Sequence, residues 1–463
     1  MSCATASAQN VCRDPRAALT SVKEGRPTVC DPTAPKARRV LPSWRQLPVY
    51  KPHAPLKPAT CFEETASVKL FQCACAQVIH FENTKCEKCN RGLGYLPEQN
   101  ALRALEPVAS VDANGRDSLR PEWQIDLPHA AVGPRSTDLW HVHQEPGRRY
   151  RFCINAEIQA CNWLILEDEP ERFCKACRHN RNIPDLTWPD NLRRWRLLEV
   201  AKHRLFYTLL RLHLPLITRD KDPEHGLAFD FLAIPLEGQG TKVMTGHDNG
   251  LITIALSEAD DSEREHMRLA MGENYRTLLG HFRHEVGHWF WDLLVRDGAP
   301  GHLEVFRALF GDERVDYSEA LKKHYYEGPP EHWAEEFITP YASSHAWEDW
   351  AETWAHYLHI VDTLETAYAF GLHVRPRIAP DAALTADPAT DPYTSVAEVQ
   401  SLIDDWLPLT FALNGLNRSM GQPDLYPFII SPKVIEKLDF VHKVVHCQLH
   451  RLRCVPVARN IAA

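Results

Sequence analysis

His284-Glu285-Val286-Gly287-His288 sets two imidazoles four residues apart, with a carboxylate directly after the first. On a helix, residues four apart share a face. Such a pair can ligate one zinc ion, and Glu285 then projects beside the metal, where it can activate a water and carry its proton. The motif is short, and the chain holds 24 histidines, so the flanking residues decide its weight. Leu278, Leu279, Phe282, Val286, Phe290 and Leu293 make the segment apolar, and Trp289 and Trp291 add bulk. A buried helix does not carry two histidines and a glutamate without a compensating partner, and a metal is one. Gly287 leaves room for another backbone to approach closely.

A catalytic zinc of this kind needs a third protein ligand and an open position. Residues 340–359, "PYASSHAWEDWAETWAHYLH", place Glu348 and Glu352 four apart on one helical face. Trp347, Ala351, Trp354, Ala355 and Leu358 pack the adjoining face. One glutamate can coordinate the metal while the other accepts the second N–H of a ligand histidine and fixes its tautomer. Spacing alone does not rank the two.

The fourteen cysteines point to further metal. Cys73, Cys75, Cys86 and Cys89 form two tight turns around an apolar strand-like run, the arrangement of a zinc ribbon. Cys153, Cys161, Cys174 and Cys177 make a looser second set, a second structural zinc site. The other six are scattered.

Elements must carry these groups. A helix is expected over residues 192–212, capped by Asp190 or Asn191, with Trp195, Leu198, Ala201, Leu205 and Leu209 at helical spacing. Strands are expected at 227–234 and 250–256, a helical stretch from about Ser262, and a closing helix from about Pro432. Residues 97–150, rich in turn formers, read as loops with short strands. Of the chain's 463 residues, 44% are hydrophobic and 24% charged, enough for two or three globular domains. Four segments follow: a basic, proline-rich arm over 1–65, a cysteine module over 66–184, a metal-binding domain over 185–445 and a tail over 446–463. Within the first 60 residues ten Lys/Arg face three Asp/Glu, while the whole chain carries −9. That acidic balance disfavours nucleic acid as a partner. No continuous apolar run marks a signal or a membrane span, so a cytoplasmic location is expected.

Several stretches resemble a known family: "HFENTKCEKCNRGLGYL", "GLAFDFLA", "TGHDNGLITI", "MGENYRTLLGHFRHEVGHWFWDLLV", "WEDWAETWAHYLHIVDTLETA" and "LNRSMGQPDLYPFIISPKVIEKL". They are similar to the zinc-binding metallopeptidases that carry an N-terminal zinc ribbon, over residues 68 to 440. The resemblance implies an α+β chain, with a β-rich cysteine module followed by a mainly helical zincin-like domain holding a small sheet. Comparison with the wider glutamate-zincin (gluzincin) group implies Glu348 as the third ligand and Glu352 as its supporting acid. It also implies Tyr341, seven residues before Glu348, as a donor to the developing oxyanion, with His345 as a second candidate. The strand "GLITIAL" is implied as the one that pairs with extended substrate. Asp292 and His281 stand as further groups near the ligands. The expected function is zinc-dependent hydrolysis of peptide bonds, with one catalytic and one or two structural zinc ions. A peptide or protein is the substrate, and the ribbon is available to recruit a protein partner. The alternatives are a non-catalytic zinc-stabilised adaptor and a ribbon that binds nucleic acid or protein.

Overall fold

The computed structural model describes residues 70–108, 133–233, 245–270, 277–377, 384–393 and 398–453. The arm at 1–65 lies outside them. All described residues belong to one compact unit, whose N-terminal part is β-rich and whose remainder is mostly helical.

Strands β1 (Leu70–Gln72) and β2 (Val78–His80) pair antiparallel around the first cysteine turn. A five-stranded antiparallel sheet follows in chain order: β3 (Leu93–Leu96), β4 (Ala101–Pro107), β5 (Trp140–Val142), β6 (Glu145–Phe152) and β7 (Leu164–Leu166). The strands expected among the loops here are present, and β4 and β6, at seven and eight residues, are longer than the short ones expected. Turn residues mask them. In β6 the sequence Glu-Pro-Gly-Arg-Arg is exposed, and only Tyr150 and Phe152 turn inward. Asn162 joins the two cysteine segments by donating to the carbonyls of Phe81 and Asn83 at 2.8 and 3.2 Å.

β8 (Asn180–Asn182) leads into α1 (Pro189–Arg211). Neither Asp190 nor Asn191 caps this helix. Trp188 holds the cap position without a side-chain bond, and Pro189, with its φ already helical, starts the first turn. α1 buries Trp195, Leu198, Leu205, Phe206 and Leu209. Strands β9 (Ala228–Leu232), β10 (Gly246–Asp248) and β11 (Leu251–Ala255) join β8 in a sheet ordered β10-β11-β9-β8. β11, the "GLITIAL" strand, is paired on both sides, antiparallel to β10 and parallel to β9. It therefore has no free edge for substrate, and among the described residues β10 forms that edge instead.

After α2 (Asp261–Ala270) comes α3 (Leu278–Trp291), which starts where the Thr277 side chain accepts from the Gly280 N–H at 3.0 Å. A π turn, Asp292–Arg296, continues it. Then come α4 (His302–Phe310), α5 (Tyr317–Glu327), the single turn α6 (Trp333–Glu336) and the long α7 (Ala346–Phe370), which stops at the left-handed Gly371. α8 (Val399–Ser419) and α9 (Pro432–Arg453) pack around α7. α9 runs through Arg453, past residue 446 where a tail was expected to begin. Residues 454–463 lie outside the described residues.

Two helices form the heart of the larger part. α3 and α7 run antiparallel, with Trp291 against Trp347, Phe290 stacked on Trp354 at 4.8 Å, and Arg283 reaching Asp362. Gly287 is the point of closest approach. A Cβ there would stand 3.2 Å from Ala351 Cα and 3.1 Å from Trp354. The indole N–H of Trp350 donates to the Gly287 carbonyl at 2.8 Å. The glycine thus serves the packing of the two helices that carry the candidate ligands.

Candidate metal centre

α3 presents His284 and His288 one turn apart, and α7 presents Glu348 and Glu352 one turn apart, across the seam that Gly287 closes. His284 Nε2 lies 3.0 Å from Glu348 Oε2 and 3.3 Å from His288 Nε2. His288 Nε2 is 3.6 Å from Glu348 Oε1. One donor atom from each of the three residues falls within 4.8 Å of the others. Glu352 approaches from the other side and takes His284 Nδ1 at 2.6 Å. That contact places the ring proton on Nδ1 and turns the Nε2 lone pair toward Glu348 and His288.

The electrostatics call for positive charge at this point. Burial opposes ionisation of Glu348, but His288, His284 and Tyr317 outweigh it and hold its carboxyl down to about 2. Burial likewise disfavours charge on His284, yet Glu348 and Glu352 pull its imidazole well above its usual range. Two inward-facing imidazole nitrogens and a buried carboxylate suit a divalent cation with His₂Glu ligation, the set of a catalytic zinc.

Glu285 is buried on the same helix and its Oε1 stands 3.2 Å from His281 Nε2. Tyr341 sits in the 3₁₀ turn before α7, its ring centroid 6.1 Å from that of His284, and burial keeps its hydroxyl protonated. His345 does not stand as a donor to substrate. Its Nδ1 accepts from the Trp347 N–H at 3.1 Å and its Nε2 faces the Val315 carbonyl at 3.1 Å, so the ring caps α7. Asp292 accepts from Arg296 at 2.5 Å.

Three neighbours were not legible as site residues. Tyr317, at the start of α5, donates its hydroxyl to Glu348 Oε1 at 2.7 Å. His247 on β10 lies nearly parallel to His288 at 6.0 Å, its Nε2 accepting from the Gly250 N–H; burial and His288 hold it down to about 4. Glu258, just after β11, closes on His281 at 3.4 Å. None stands at a telling spacing from the histidine motif; only "TGHDNG", which holds His247, lies in a stretch that carries the resemblance.

The cysteines gather as two sets. Cys73 lies 3.6 Å from Cys89, and Cys75 lies 3.6 Å from Cys86, sulfur to sulfur. Ligands 2.3 Å from a tetrahedral zinc stand about 3.8 Å apart, so the set fits that ion. Burial pushes the Cys73 thiol up to about 12, whereas the backbone N–H of Arg91 draws Cys89 down to about 6. In the second set Cys161 and Cys174 are 3.8 Å apart, with Cys153 and Cys177 within 4.8 Å. Here α1 adds a buried polar face that cysteine spacing does not reveal. His203 Nε2 lies 3.3 Å from Cys161 Sγ and 3.6 Å from Cys177 Sγ, and its Nδ1 donates to the Glu199 carbonyl. Lys202 pairs with Glu199 at 2.7 Å, both fully buried. Three polar residues inside the apolar stripe of α1 were the available signal.

A cysteine-knuckled β module joined by one helix to a helical domain with a candidate His₂Glu centre has the layout of a zinc ribbon followed by a metallopeptidase-like domain. A family described as "Putative zinc-binding metallo-peptidase" matches residues 191–444, and a zinc-ribbon domain matches residues 70–188. The chain belongs to that metallo-peptidase family. Uncharacterised proteins of Mycobacterium tuberculosis and Mycobacterium bovis are each 40% identical over 376 residues, spanning 81% of this chain and 94% of theirs. No solved structure matches the chain. Among the described residues, no helix is long and apolar enough to cross a membrane.

Proposed function

We propose that the chain is a zinc-dependent peptidase in which His284, His288 and Glu348 hold the catalytic metal and Glu285 is the general base. The observation that carries this reading is the convergence of those three donor atoms within 4.8 Å, one residue from a buried glutamate. When bound, zinc supplies a Lewis acid that acidifies water and polarises the peptide carbonyl. Glu285 accepts the proton of the attacking water and returns it to the leaving nitrogen. Glu352 holds His284 in the tautomer that offers Nε2, and Tyr317 orients the Glu348 carboxylate. Tyr341, neutral and close to His284, donates to the oxygen that gains charge. An extended peptide pairs along β10.

In this reading the two cysteine sets each hold a structural zinc, the 66–184 module recruits a protein partner or substrate, and the chain works in the reducing cytoplasm. The test is substrate profiling of wild type beside Glu285→Gln, with zinc measured per chain. Glu285→Gln keeps its zinc and loses hydrolysis by at least about 100-fold. An unchanged rate removes the role of Glu285. Full zinc without turnover of a diverse peptide library by wild type favours the adaptor reading.

A further inference from the structure

Behind Glu285 lies a second layer of charge. His281 precedes it by one helical turn on α3, and the ring bridges two buried carboxylates: Nε2 to Glu285 Oε1 at 3.2 Å, Nδ1 to Glu258 Oε2 at 3.4 Å. Glu258 comes from a different element, the 3₁₀ turn Leu256–Ala259 that follows β11. Its backbone is held in turn by Arg264, whose Nη1 donates to the Glu258 carbonyl at 2.5 Å. Burial opposes charge on His281, but Glu258 and Glu285 together lift it to about 9. Both ring nitrogens then carry protons at neutral pH, and each faces a carboxylate.

A chain of this form has a use in the proposed chemistry. A glutamate on a helix has three rotatable torsions, and holding it in one rotamer costs side-chain freedom that a neighbour must offset. A general base acts only from within hydrogen-bond reach of its proton. We propose that His281, anchored by Glu258, is the positioning residue for Glu285: it grips Oε1 and leaves Oε2 directed at the water. This inference rests on Glu285 being the base. It adds that the base is set from the sheet side, through Glu258, independently of the metal ligands.

The test uses the full zinc-loaded chain and the variants His281→Leu, His281→Gln and Glu258→Gln. Glutamine places an N–H near the position of Nε2, whereas leucine fills the space without one. The measurements are kcat and KM separately, zinc per chain, and the Glu285 side chain in crystal structures of each variant. With His281→Leu, kcat falls about 10- to 100-fold while KM and zinc content stay unchanged, and Glu285 occupies more than one rotamer. His281→Gln recovers to within a few-fold of wild type, and Glu258→Gln falls between them. Equal losses for leucine and glutamine, or a change in zinc content, would assign His281 to packing alone and overturn the proposal. If His281→Leu does not fold, the glutamine variants decide: a Glu258→Gln chain with wild-type kcat and a single Glu285 rotamer overturns it. Absence of turnover in wild type sinks the peptidase reading by itself, and the rotamers of Glu285 still settle the grip of His281.

Discussion

Replacing Glu352 by alanine separates the metal centre from the rest of the fold. Glu352 meets His284 Nδ1 at 2.6 Å, a short, charge-assisted bond of the stronger class. Hydrogen bonds to charged groups contribute about 1.5–3 kcal/mol net, and one decade in affinity is about 1.4 kcal/mol. Losing the bond therefore weakens zinc at this centre by about 10- to 100-fold, the range seen when a carboxylate behind a metal-bound histidine is removed. Two costs add. The Nδ1–H of His284 is left without its acceptor, and the ring is freed to present either nitrogen. Glu352→Gln keeps an acceptor oxygen but not the charge, so its loss lies toward the lower end. The cysteine sets do not touch Glu352 and keep their metal. Competition with a graded chelator, read as zinc per chain, shows one ion leaving early and the others retained. Affinity within two-fold of wild type in Glu352→Ala refutes the reasoning. Simultaneous loss of all zinc refutes it too, because the effect then belongs to folding.

Other perturbations test separate parts of the structure. Tyr317→Phe removes the hydroxyl that Glu348 Oε1 accepts at 2.7 Å; calorimetric zinc binding weakens by about 1–2 kcal/mol, and an unchanged affinity means the hydroxyl does not steady the ligand. Lys437→Met strands Asp349, whose pair at 2.6 Å ties α9 to α7 with both side chains at most 5% exposed. Denaturant unfolding then shows a loss of about 3–5 kcal/mol, and a loss below 1 kcal/mol contradicts the burial argument. His356 is buried against Tyr426, and burial holds its imidazole down to about 4, below the ordinary 6.5. The unfolded chain therefore binds the proton first: the contribution of neutral His356 is complete above pH 6.5 and is lost as pH falls toward 4. It amounts to about 3 kcal/mol. His356→Gln flattens stability against pH across that window, and parallel curves for variant and wild type would remove this group from the acid response.

The parts of the fold written in local periodicity were readable from the chain. α3 and α7 announce themselves by apolar spacing, and His284, Glu285, His288, Glu348 and Glu352 stand at helical intervals within those two segments. The tight cysteine turns are local for the same reason. What spacing did not resolve was anything decided across segments. Tyr317 reaches Glu348 from 31 residues away, Glu258 reaches His281 from another element, and His203 reaches Cys161 from 42 residues on. Strand order escaped as well. β11 reads as a strand from its alternation, but whether its edge is free depends on β10, three residues long and disguised as a turn. His345 shows the converse error, in which a plausible catalytic type at a plausible place serves the backbone of α7.

α1 ties the two ends of the molecule together. At one end its His203, Glu199 and Lys202 press against the second cysteine set. At the other, Thr208 meets Asp362 and Tyr207 meets Glu365, both on α7, the helix that supplies Glu348. The helix is common property of both modules, and its buried Trp195, Leu198, Leu205 and Phe206 belong to one continuous core that reaches into both. A shared core of this kind makes the cysteine module part of the body that carries the candidate metal centre, not an appendage hung on a linker. The two parts are therefore expected to unfold as one cooperative unit rather than in separate steps.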